Sequence, residues 1–244
     1  MGAETELLKS FGARARVAGL RAHAGATAPL IGPGDLEEFA RAASRVLAET
    51  ENGEVLGRAV ALAVQTDQAP LEVAFIGLFA ALESVLTFSR RREDFDILAP
   101  AEFVRLEKDL RAWLRQQPAL ESDAEKRALI YEKARELNRF PFSRVFGNFC
   151  ARHAVDLSGL WPLLGRREEW PLLEIRHRLV HGDPFRLRPA EALACARQHL
   201  SWTVERMLLA ALGWPVARSG ASGHGLEAAG PLYTDWPAAR SQLA

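Results

Sequence analysis

Four side chains combine residue type and spacing in a way that could do chemistry. Arg176, His177 and His181 fall within six residues of one another in LEIRHRLVHG (173–182), and Glu83 interrupts the apolar run FIGLFAALESVL (75–86). A histidine, with an ordinary pKa of about 6.5, accepts and returns a proton near neutral pH. An arginine offers a planar fork of donors that stabilises a developing anion. His177 and His181, four apart on a helix, also match half of a zinc site. The residues between them supply no glutamate base, however, and no further His/Cys cluster completes the coordination, so neither a metal nor a cofactor is expected.

The charges are placed unusually for a helical core. Between Glu72 and Arg90 the only charged residue is Glu83, and an ionised carboxylate in so apolar a helix is costly unless paired. On a helix with about 100° per residue, Leu179, Leu172, Val180 and Leu173 span an arc of roughly 120° with Arg176 at its middle. An arginine inside a core-facing stripe must meet a carboxylate, line a cleft or face a partner chain. Glu83 is the expected carboxylate. Arg176 and His181 stand about 140° apart on an ideal helix, so converging on one group requires a distorted helix end or a second chain.

The elements that must position these residues read as helices throughout. Asp35 is an expected N-cap for 36–50, Asn52-Gly53 closes that helix, and another follows to about Thr66. Pro70 opens the helix 71–89, expected to be central and buried because it falls short of a spanning helix of about 20 apolar residues. Further helices are expected at 101–116, at about 122–138, from Pro141 to about His153, and at 189–212. The helix 170–182 carries Pro171 in its first turn and ends at Gly182, which suits a left-handed cap. Residues 1–33 form an extension with room for a short strand pair. The domain proper covers 34–212, with no linker clean enough to divide it. The tail 213–244, rich in Gly, Ser and Pro, is expected to be loosely packed.

Composition narrows the function. Of 244 residues, 48% are hydrophobic and 25% charged, with 31 basic and 31 acidic side chains. A neutral chain does not coat nucleic acid or an anionic membrane, so any nucleic-acid contact is a local site. Four lysines against 27 arginines reflect compositional bias rather than RNA binding. The two cysteines form no CxxC pair, and no signal peptide is evident. A reducing cytoplasm and no membrane partner are the expectations.

The segment 173–182 resembles the R-x4-H signature of the HEPN superfamily, with Arg176 as the arginine, His177 as the polar residue after it and His181 as the histidine. The run with Glu83 is similar to that family's upstream helix, whose acidic residue faces the motif. NRFPFSRVFGNF (138–149), followed by the Trp161 loop, resembles the ApeA-like branch. The resemblance runs from about 34 to 212. It implies an all-α antiparallel helical bundle, dimeric, with the motifs of two chains meeting in a shared cleft. It further implies a metal-independent endoribonuclease acting as a toxin or phage-defence effector, with RNA as substrate and an antitoxin or activating partner. Arg176 and His181 would then be catalytic and Glu83 and His177 supporting, while Arg90, Arg91, Arg92 and Arg178 are weaker candidates for positioning RNA. The alternative within the same family is a non-catalytic module that binds nucleotide, RNA or a protein partner, keeping Arg176 as a structural ion.

Overall fold

The computed structural model describes residues 29–49, 52–66, 69–91, 94, 96–121, 123–182 and 190–243. The expected strand pair and Arg92 lie outside the described residues, except that Ile31 forms a single antiparallel bridge with Ser219. The described chain is all-helical, without a strand. In order it contains α1 (Leu36–Glu49), α2 (Gly53–Gln65), α3 (Leu71–Phe88), α4 (Pro100–Arg115), α5 (Pro118–Glu121), α6 (Ala124–Ala134), α7 (Phe142–His153), α8 (Leu172–His181), α9 (Ala190–Ala211), α10 (Gly223–Glu227), α11 (Pro231–Thr234) and α12 (Trp236–Ser241).

The chain divides into two compact units, one made of 1–89 with 150–244 and the other of 90–149. The sequence reading placed both inside one domain. Neither boundary carries a linker signal, since one follows the end of α3 and the other falls inside α7.

In the first unit α3 packs against α2, α8 and α9. Its buried face is Ala74, Phe75, Leu78, Phe79, Ala81, Leu82, Val85 and Leu86, with the Phe75 and Phe79 rings 5.6 Å apart. The opposite face, with Val73, Ile76, Glu83 and Thr87, is exposed. By length and composition α3 could cross a membrane, nearer that limit than its sequence suggested. The turn into α2 requires Gly53, because a Cβ there would strike the Leu47 carbonyl oxygen.

The most enclosed helix is α9, buried on nearly every side, because the C-terminal segment covers it. This corrects the expectation of a loose tail. Leu226 packs with Leu160 and Trp202 in one buried cluster, flanked by Tyr233. Trp214, Ala221 and Leu243 are also buried. The expected cap Asp35 ends a 3-10 turn and pairs with Arg218, which also holds Glu38 and stacks on the Trp214 ring at 4.4 Å. His199 lies at the centre of this region. Its Nδ1 accepts from the Trp161 backbone N–H at 3.1 Å, and its Nε2 stands 3.0 Å from the Leu232 carbonyl oxygen. These partners select the neutral ring with its proton on Nε2, and burial pushes its pKa down to about 4. Burial pushes the Cys150 and Cys195 thiols up to about 11.

The second unit centres on Asn138, whose side chain accepts from the Leu98 N–H at 2.8 Å and donates to the Leu98 carbonyl at 3.2 Å. Asn148 donates to the buried Asp94 at 3.0 Å. Its core includes Leu114, Ala134, Val145, Phe146 and Phe149. The helix expected at 122–138 runs as α6 and then a 3-10 turn, Arg135–Asn138, with Asp123 capping α6 through the Lys126 N–H.

Candidate functional site

A loop and a strained residue position α8. The Leu172 and Leu173 N–H groups donate to the Pro162 and Leu163 carbonyls at 3.0 and 3.1 Å, satisfying donors that every helix start leaves open. Trp170, just before the helix, adopts a left-handed conformation at φ 50°. Its carbonyl accepts the buried Trp161 indole N–H at 2.8 Å, which holds the strained turn in place. At the other end Gly182 caps the helix with φ 68°, a conformation glycine adopts without steric penalty. The adjoining Asp183-Pro184 turn lies outside the described residues.

Leu172 and Ile175 are the fully buried residues of α8, while Val180 is exposed. Including Ile175 moves the centre of the buried arc by roughly 70° from where the sequence put it. Arg176 therefore stands at the edge of the core rather than in its middle. Its Nη2 lies 3.6 Å from the Glu83 Oε1, with side-chain exposures of 30% and 51%. Pairing between these two charges is thus wet, not the buried ion pair the sequence suggested.

His177 and His181 are both exposed, with rings 6.3 Å apart and inclined by 10°. Together with Arg176 and Val180 they occupy a continuous sector of about 140° on the outer side of α8. That surface can transfer a proton beside a fixed positive charge. Arg178 is occupied differently. Its Nε donates to the Glu174 Oε1 at 2.9 Å, its guanidinium stacks 4.1 Å over the Trp170 ring, and Arg167 binds the same carboxylate oxygen at 2.9 Å. This clamp braces the helix start. Arg90 and Arg91 belong to the second unit. Among the described residues no three His, Cys, Asp or Glu side chains gather as a metal-binding group.

One further site escaped the sequence reading. A cavity of about 660 Å³ in the first unit is lined by Asp156, Arg206, Trp214, Ser222 and Tyr233 among others. Arg206 directly follows Glu205 in a helix that also carries Glu191 and Arg197, so its sequence did not mark it as a misplaced charge in the way that Glu83 is marked in α3. Comparison with protein-family models, curated proteins and solved structures finds no match to this chain.

Proposed function

We propose that the chain is a metal-independent endoribonuclease of HEPN type, built as an antiparallel helical bundle and active as a homodimer in a reducing cytoplasm. The observation that carries this reading is the exposed sector of α8, where Arg176, His177 and His181 stand together beside Glu83 and immediately before the Gly182 cap. RNA brings its own nucleophile. His181 takes the proton of a 2′-hydroxyl, the 2′-oxygen attacks phosphorus, and the bond to the 5′-oxygen breaks with return of a proton. Arg176 stabilises the charge on the phosphate oxygens. The products are a 2′,3′-cyclic phosphate and a 5′-hydroxyl, and DNA is not cut.

Arg176 and His181 diverge on one helix, which favours a site shared by two chains. Val73 and Ile76 share the exposed face of α3 with Glu83, and Val180 lies between Arg176 and His177 on α8. Covering these apolar side chains with a second copy would bring two motifs together. The pairing of Arg176 with Glu83 favours a second reading, a non-catalytic module that binds RNA, a nucleotide or a protein partner.

Incubating purified protein with mixed RNA in excess chelator separates the two. Cleavage leaving cyclic phosphate ends is expected, and His181→Ala should reduce it by about 10²–10⁴-fold while staying folded. Equal cleavage by wild type and variant refutes the assignment. An inert wild-type protein leaves the binding module.

A further inference from the structure

Among the described residues of the first unit, Arg206 is the buried side chain that must stay charged: it is 4% exposed, and a guanidinium does not deprotonate in a protein. Such a group requires compensation. Its Nε donates to the Ala221 carbonyl at 2.8 Å and its Nη1 to the Asp156 carbonyl at 2.7 Å. Both acceptors are neutral, and they use two of the five N–H donors.

The remaining donors belong to a side chain that lines the 660 Å³ cavity, a volume typical of small-molecule sites. Trp214, also 4% exposed, adds an aromatic side chain to the lining of the same cavity. The Ser222 hydroxyl accepts the Gly225 N–H at 3.1 Å and keeps its own hydrogen to donate. Ala210, Pro215, Val216 and Ala217 supply an apolar wall. A cation and a hydroxyl donor set against apolar surface call for an anion carried on an apolar body.

Asp156 fixes how much charge that anion can bear. Asp156 lines the cavity and is exposed. Its carboxylate accepts both the Ser158 N–H and hydroxyl, at 2.8 and 2.9 Å, and these bonds, with a weaker contribution from the Arg206 charge, hold its pKa below the usual carboxylate value. A ligand with one negative charge can pair with Arg206, while a second negative charge would find no cation and would be repelled by Asp156. We propose that this cavity binds a small organic monocarboxylate, with its carboxylate on the free edge of the Arg206 guanidinium and its apolar body against Ala210, Pro215 and Val216. The planar fork of the guanidinium matches a carboxylate.

The test uses the full chain with 4-phenylbutyrate and benzoate as probes, read by thermal shift and by ligand-observed NMR. Both acids should raise the melting temperature in a concentration-dependent way, and the neutral 4-phenylbutyramide should bind at least about tenfold more weakly. Arg206→Gln should abolish binding, but it strands two carbonyls and is at risk of not folding. Ala217→Trp avoids this problem, because Ala217 is exposed and lines the cavity. It should occupy part of the cavity beside its apolar wall, keep the wild-type melting temperature and weaken binding. Equal binding of the amide, equal competition by inorganic phosphate, undiminished binding to Ala217→Trp, or no binding of either acid up to about 10 mM would overturn the proposal.

Discussion

Glu83 and Arg176 show how one half-exposed carboxylate changes the energetics of a pair. A sealed ion pair that loses one partner costs about 3–5 kcal/mol. Here half of the Glu83 side chain meets water and the charges stand 3.6 Å apart, which is the regime of surface pairs. Glu83→Gln should therefore cost under about 1 kcal/mol, less still in high salt. Urea unfolding at low and high ionic strength measures this. A loss above about 3 kcal/mol would mean that something seals the pair from solvent. The two arginines of α8 are about equally exposed, at 30% and 28%, and differ in their partners: Arg176 meets the half-exposed Glu83, while Arg178 is held between the largely buried Glu174 carboxylate and the Trp170 ring.

At the scale of the element, α8 depends on its two ends. An added Cβ at Gly182 meets nothing within 4 Å, so Gly182→Ala isolates the backbone penalty of a left-handed position, about 1–2 kcal/mol. Gly182→Asn should lose less, and thermal denaturation of the two variants should show that order. The ends of α8 were legible because Pro171 and Gly182 carry local conformational preferences. Its facing was not, because four leucine and valine positions suggested a symmetric stripe, and burial of Ile175 with exposure of Val180 depends on what packs nearby. The proximity of Glu83 to Arg176 followed from two charges in apolar surroundings. The cavity beside Arg206 did not, since its walls come from segments distant in sequence. Tail packing was missed for a related reason: Gly, Ser and Pro signal broken helices, and tertiary burial of Leu226 and Leu243 leaves no local mark.

The whole molecule takes an acid sensitivity from His199. The unfolded ring titrates at about 6.5 and the folded ring at about 4. Between those values the unfolded state binds a proton that the folded state excludes, so stability rises with pH across this window and is lost as pH falls through it. The loss should approach roughly 3 kcal/mol. Denaturant midpoints for wild type between pH 7 and 4 should fall accordingly, and His199→Gln should flatten that slope. The two cysteines bear on the assembly as well. Their thiols, pushed up to about 11, hold very little thiolate at neutral pH and react slowly with maleimides and methanethiosulfonates. The native chain is thus a quiet background for site-directed labelling. A single cysteine at the exposed Val180 would carry a nitroxide there selectively, and dipolar coupling between two such labels would reveal whether two copies meet across α8.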